Sequence, residues 1–178
     1  MNLSTFEKKD STGICFIGER PFPSFLENYI NDKPGKIICD KGNEVGLHRG
    51  LSFYTLGQRQ GLGIGGVKGS PDLPWYVAKK NLKTNELLCV QGNDHPLLFS
   101  RELSTKNLFK LEDSLPTSFE GTAKVRYRQE DQGCEINVED NALNIKFHKP
   151  QRSVTPGQSV VIYKNDKCLG GGEICTIN

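Results

Sequence analysis

From residue 35 onward the chain is a succession of short β runs set apart by turn residues, with almost no helical period between them. The runs are Lys36 to Asp40, a stretch around Val45, Phe53 to Leu56, Trp75 to Lys79, Glu86 to Val90, Thr122 to Arg128, Cys134 to Val138, Leu143 to Phe147, Val160 to Tyr163 and Gly172 to Ile177. Lys41-Gly42-Asn43, Thr84-Asn85, Asp140-Asn141, Pro156-Gly157 and Asn165-Asp166 punctuate them, each with residues that reverse a chain cheaply. One helix is expected, opened by a capping box of Ser24 and Glu27, with Phe25, Leu26, Tyr29 and Ile30 on one face and Pro34-Gly35 as its stop. The pattern predicts a mainly β chain: a small central β-rich domain with one helix over 23–92, then an antiparallel β-barrel or sandwich over 93–178. The break falls where Gly92-Asn93-Asp94-His95-Pro96 separates two β-rich regions.

With 178 residues the chain can bury a core, and no apolar run is long enough for a membrane helix. Residues Met1 to Asp10 do not form a secretory signal, since Lys8 and Lys9 follow Phe6 and no apolar stretch comes after them. The net charge of +2 provides no strong overall field, so affinity for RNA must come from local patches. Six cysteines are present, at positions 15, 39, 89, 134, 168 and 175, with no C-x-x-C and no histidine at ligand spacing. That spacing argues against zinc and against a disulfide framework, and favours free thiols in the cytoplasm.

Three features invite chemistry. Gly61-Leu62-Gly63-Ile64-Gly65-Gly66 matches G-x-G-x-x-G, but Pro71 and Pro74 downstream forbid the helix whose N-terminus would hold a pyrophosphate. A glycine-rich surface loop is the better reading. In Lys124-Val125-Arg126-Tyr127-Arg128-Gln129, strand alternation would put Lys124, Arg126 and Arg128 on one face, suited to phosphates, with Glu130 and Asp131 able to answer the charge. Cys15 stands in a glycine-bracketed segment, Gly13-Ile14-Cys15-Phe16-Ile17-Gly18, between cations (Lys8, Lys9, Arg20) and anions (Asp10, Glu19). By residue chemistry alone it is either a reactive thiol or a small buried hydrophobe. His95 and His148 read as surface or half-buried residues.

The segment Asp10 to Arg20 closely resembles the cysteine loop of the tRNA-specific 2-thiouridylases. Gly50-Leu51-Ser52-Phe53-Tyr54-Thr55-Leu56-Gly57-Gln58-Arg59-Gln60-Gly61, continuing through Gly66, is similar to that family's central signature, and Pro74-Trp75-Tyr76-Val77 to its next strand. Val125-Arg126-Tyr127-Arg128-Gln129, Val154-Thr155-Pro156-Gly157-Gln158 and Cys168-Leu169-Gly170-Gly171-Gly172 resemble its C-terminal barrel. The matches keep their order from residue 10 to residue 172.

The resemblance implies a three-part enzyme: an ATP-pyrophosphatase-type nucleotide domain, a central β domain, and a barrel like one in translation elongation factors. It further implies that ATP, with Mg, adenylates the C2 oxygen of the wobble uridine and that a persulfide on Cys15 delivers sulfur. Tyr127, Arg128 and Gln158 become the tRNA contacts, with Arg126 and Gln129 as neighbours. The implied partners are a tRNA with a wobble uridine and a sulfur-carrier protein, and the protein is expected to be a monomer without membrane attachment. This sequence lacks the family's Ser-Gly-Gly-x-Asp-Ser type phosphate loop and the partner cysteine that goes with it. It is therefore expected to be the back half of such an enzyme: residues 1–22 remain from the nucleotide domain, no cofactor site or metal site is present, and the chain alone neither binds ATP nor thiolates tRNA. A stand-alone RNA-binding β module and a thiol redox protein are the competing readings.

Overall fold

The computed structural model describes residues 29–30, 32–66 and 72–178. The expected cysteine loop over 1–22, Cys15 included, lies outside the described residues. So does the expected helix, except for Tyr29, which stands in a turn, and Ile30.

Four strands form the first sheet: β1 (Gly35–Cys39), β2 (Glu44–His48), β3 (Trp75–Asn81) and β4 (Glu86–Gln91). Their order is β2-β1-β4-β3, with β1 and β4 parallel and the other pairs antiparallel. Period-two alternation sends Ile37 and Cys39 from β1, and Leu87 and Cys89 from β4, into the interior. The long segment 49–66 covers that face and contributes Leu51, Tyr54 and Leu62 to the core. Here the structure corrects an expectation. Phe53 to Leu56 is not a strand: a 3₁₀ turn over Leu51–Phe53 leads into an extended Tyr54, and a turn begins at Leu56. The run is apolar because it roofs the sheet, and the Arg49 guanidinium lies over the Phe53 ring at 4.7 Å.

The remaining strands close into a barrel: β5 (Phe99–Lys110), β6 (Ser118–Lys124), β7 (Gln132–Glu139), β8 (Ala142–Arg152), β9 (Ser159–Lys164) and β10 (Lys167–Ile177). Around the ring the order is β10-β5-β8-β7-β6-β9, antiparallel throughout. Inward residues such as Leu103, Ile136, Ile145, Phe147, Ile162 and Ile174 fill the interior, so the barrel encloses a packed core and not a channel. The turns at Asp140-Asn141 and Asn165-Asp166 form where the sequence predicts, with Asp140 and Asn165 at positive φ. No helix among the described residues is long and apolar enough to cross a membrane.

Several elements of the ring depart from the sequence reading, β5 and the start of β10 among them. No run was expected between residues 91 and 122, yet β5 occupies 99–110 and pairs with both β8 and β10. Its inward face carries Thr105, whose Oγ1 accepts the Leu143 N–H at 2.8 Å, so a buried polar side chain interrupts the apolar alternation. The strand at the end of the chain begins at Lys167, five residues before the expected Gly172. Gly170 and Gly171 belong to it because a Cβ at either would meet the Phe109 or Val160 carbonyl oxygen at 2.1 and 2.3 Å.

The two sheets meet through a short passage that includes a 3₁₀ turn at Pro96–Leu98. Arg152, at the end of β8, donates from Nε to the Asn93 carbonyl at 3.1 Å and lays its guanidinium over the Tyr76 ring at 5.0 Å. The Ser153 N–H donates to the Leu98 carbonyl at 2.7 Å.

Candidate nucleic-acid interface

The chain leaves β6 at Lys124 and reverses at once. Val125 is buried, its N–H donates to the Gln129 Oε1 at 2.9 Å, and the Gln129 N–H donates to the Arg126 carbonyl at 3.2 Å. Arg128 adopts a φ of 61°, in the left-handed region. The expected strand over Thr122 to Arg128 therefore ends at Lys124, and the single face of Lys124, Arg126 and Arg128 does not exist. A left-handed residue cannot continue a pleat, and Lys124 is held instead by Asp131 at 2.9 Å. The hydrogen bond to that carboxylate raises the lysine's pKa above its ordinary value.

The turn is braced by side-chain amides. Gln129 Nε2 donates to Gln151 Oε1 at 2.8 Å, and Gln151 Nε2 donates to Gln132 Oε1 at 3.1 Å and to the Lys149 carbonyl at 2.8 Å. Arg126 reaches across to donate from Nη2 to the Ser153 carbonyl at 3.1 Å. The glutamines satisfy one another and fix the loop against β8, leaving the cations and the aromatic ring to face outward.

Those outward groups line one groove of about 480 Å³, bounded by Phe99, Arg126, Tyr127, Arg128, Gln129, Gln132, Lys149, Pro150, Gln151 and Arg152. Four of these are cations and none is acidic. Tyr127 is 70% exposed, and the Arg128 guanidinium sits 5.4 Å from its ring centroid. An exposed ring beside guanidinium groups is a stacking surface for an unpaired base, and the flanking cations match a phosphate backbone. The patch concentrates positive charge that a net charge of +2 spreads thinly over the chain.

Of the five expected RNA contacts, the groove gathers Arg126, Tyr127, Arg128 and Gln129. Gln158 is not among its lining residues. It lies in the turn before β9, where its N–H donates to the Thr155 carbonyl at 3.2 Å and its carbonyl accepts the Ile174 N–H at 2.8 Å. Lys149, Gln151 and Arg152 join the other four in the groove because β8 runs on to Arg152, past its expected end at Phe147. The basic run His148-Lys149-Pro150-Gln151-Arg152 was the available signal.

Other chemistry is sparse among the described residues. All five described cysteines are free. Burial pushes the Cys89 and Cys134 thiols up to about 12, the reverse of what a nucleophilic thiolate needs. Cys175 is exposed and donates weakly to the Ser104 carbonyl at 3.3 Å. No group of three or more His, Cys, Asp or Glu residues among those described is placed to hold a metal ion. The glycine-rich stretch 61–66 lines an open groove with Trp75 and Gln91, and residues 72–74 run irregularly into β3, so no described helix N-terminus follows it.

Comparison with known proteins divides the chain in the same two regions. Residues 23–91 match a tRNA methyl transferase PRC-barrel domain, and residues 100–174 match an aminomethyltransferase beta-barrel domain. Proteins named tRNA-specific 2-thiouridylase MnmA from Francisella tularensis subspecies tularensis, holarctica and novicida are each 55% identical over 175 residues. Those residues make up 97% of this chain and 49% of each relative, so the chain spans about half the length of the curated relatives it matches.

Proposed function

The chain belongs to the tRNA-specific 2-thiouridylase family, and from that premise we propose that it is the RNA-holding, sulfur-delivering part of a tRNA-uridine 2-sulfurtransferase. The observation that supports this most is the acid-free groove around Tyr127, with Arg126, Arg128 and Lys149 at its sides, on a chain so close to proteins of that name. The substrate in this reading is a tRNA with a wobble uridine, held by its phosphates and by stacking on Tyr127. The complete enzyme is taken to be a cytoplasmic monomer.

The chemistry needs an activated carbon and a soft nucleophile. In the complete enzyme ATP, with Mg, adenylates the uridine C2 oxygen and releases pyrophosphate, which converts a poor leaving group into AMP. A sulfur-carrier protein loads Cys15 as a persulfide, whose terminal sulfur attacks C2 as AMP departs. A second cysteine then attacks the Cys15 sulfur, forming a disulfide and releasing the 2-thiouridine. In this reading ATP is held elsewhere than on the glycine loop at 61–66, because no helix N-terminus follows that loop among the described residues. The isolated chain accordingly holds tRNA weakly and performs neither adenylation nor thiolation.

The test is Cys15→Ser in the complete enzyme, read by nucleoside mass spectrometry and by tRNA binding. The expected result is loss of 2-thiouridine with tRNA affinity nearly unchanged. Thiolation that survives the substitution would leave only the RNA-binding module, which the same groove would serve. Arg128→Ala is expected to weaken tRNA binding and flatten its salt dependence by about one phosphate contact.

A further inference from the structure

We propose that Gly57 and Ser153 form a seat between the two sheets that positions Arg126 for RNA, an inference that rests on the RNA reading of the groove. Gly57 belongs to the segment covering the first sheet, where its N–H donates to the Val77 carbonyl at 2.7 Å and so fixes it to β3. It has a φ of +79°, and a Cβ placed on it would stand 2.2 Å from the Ser153 Oγ and 2.7 Å from the Ser153 Cβ. Only a glycine lets this backbone come so close to the Ser153 side chain.

Ser153 is the hinge of this contact. It is buried, at a φ of 53°, and its Oγ has no hydrogen-bond partner although it is enclosed. Its N–H is spent on the Leu98 carbonyl at 2.7 Å. Its carbonyl accepts both the Arg126 Nη2 at 3.1 Å and the Thr155 Oγ1 at 3.0 Å. The orientation of one peptide group therefore decides where the Arg126 guanidinium stands, and Gly57 packs against the same residue from the other sheet. Arg126 itself is exposed and belongs to a turn, so this carbonyl is a strong constraint on a long side chain that would otherwise sample many rotamers. Gly57 and Ser153 act as positioning residues: neither lines the groove, yet a shift of their contact moves a cation that does.

The experiment measures binding of an unmodified tRNA transcript with a wobble uridine to the full chain, across a salt series. Gly57→Ala is expected to weaken binding roughly fivefold at about 0.1 M salt and to lower the salt slope by about one, as Arg126→Ala does. The two together are expected to be no worse than Arg126→Ala alone. Gly57→Ala combined with Ser153→Gly opens room for the new methyl and is expected to recover most of the loss. Gly63→Ala is the control for backbone strain, because Gly63 has a φ of +65° with nothing within 4 Å of its would-be Cβ. It should bind as the parent does. Should Gly57→Ala fail to fold, Ser153→Asn crowds the seat from the barrel side with a residue that tolerates left-handed backbone, and the same loss is expected. The seat is overturned if Arg126→Ala weakens binding while the crowding variants do not, or if their losses multiply with that of Arg126→Ala. Should Arg126→Ala itself leave binding and slope unchanged, the RNA reading of the groove falls first, and the seat with it.

Discussion

The barrel and the four-stranded sheet reach a buried interior by different routes. In the barrel, six strands close on themselves, and fourteen side chains, nearly all apolar, pack inside. Among the described residues the sheet has an edge at β2 and another at β3, and its core of seven buried side chains takes three from the covering segment at 49–66. That segment is held by polar groups. His48, 1% exposed, accepts the Gly50 N–H on Nδ1 at 3.1 Å, which places its proton on Nε2, where it donates to the Asn85 carbonyl at 3.0 Å. Asp32 accepts the Ser52 N–H at 2.6 Å, and the backbone hydrogen bond holds its carboxyl below the ordinary range. A closed barrel can thus hang a polar, functional loop on its rim with little effect on its core. In the sheet the loop is part of the core, so its polar anchors become structural.

The comparison predicts where damage is greatest. Phe147→Ala empties the largest fully buried side chain of the barrel and is expected to cost about 3–5 kcal/mol in urea unfolding. Trp75 is the one tryptophan and lies in β3, so its fluorescence follows the sheet while circular dichroism follows all the strands. A single shared transition would mean that the Arg152 and Ser153 contacts lock the two sheets into one cooperative unit. In the sheet, His48→Ala strands the Gly50 N–H and the Asn85 carbonyl and leaves a void. About 2–4 kcal/mol is expected, with the loss seen first by Trp75. A cost near zero would refute the view that polar anchors hold the covering segment.

Most of both sheets could be read from the sequence, because β3 and β4 are short apolar runs and β7 and β9 alternate with period two, with turn residues nearby. What escaped was the barrel's seam. β5 hides behind inward Thr105, and the start of β10 hides behind Gly170-Gly171-Gly172, where close backbone approach and not turning requires the glycines. Both signals depend on a neighbouring strand that a single sequence does not specify. The site shows the same division. Arg126, Tyr127, Arg128 and Gln129 were legible as a motif, but their arrangement was not, since the alternation argument assumes a strand where Arg128 is left-handed. The amide chain through Gln151 and Gln132 joins residues far apart in sequence, and only the fold brings it together.

Two buried thiols compare the regions on equal terms, Cys89 in the sheet and Cys134 in the barrel. Each is raised by burial to about 12 from 9.0, so the folded state holds the proton more tightly than the unfolded one. The stability this provides is complete below about pH 9 and is lost as pH rises toward 12, at about 1.4 kcal/mol per pH unit for each thiol. Unfolding measured between these limits should show a steeper alkaline loss in the parent than in Cys89→Ala or Cys134→Ala. A variant that loses stability as steeply as the parent would mean that burial does not raise the thiol it lacks.

The smallest effect on stability belongs to Tyr127, the exposed counterpart of Phe147 in the same barrel. With 70% of its surface in water, the ring contributes little to the core, and Tyr127→Ala is expected to change unfolding by no more than about 0.5 kcal/mol. Its cost should appear in RNA binding instead, about 1–3 kcal/mol if a base stacks on the ring, with Tyr127→Phe retaining most of the affinity because the π-face survives. The salt slope should not move in either variant, since no cation is removed. That pattern separates stacking from phosphate contact within a single turn. A slope that falls with Tyr127→Ala would instead show that the ring serves mainly to hold Arg128, whose guanidinium lies 5.4 Å from it.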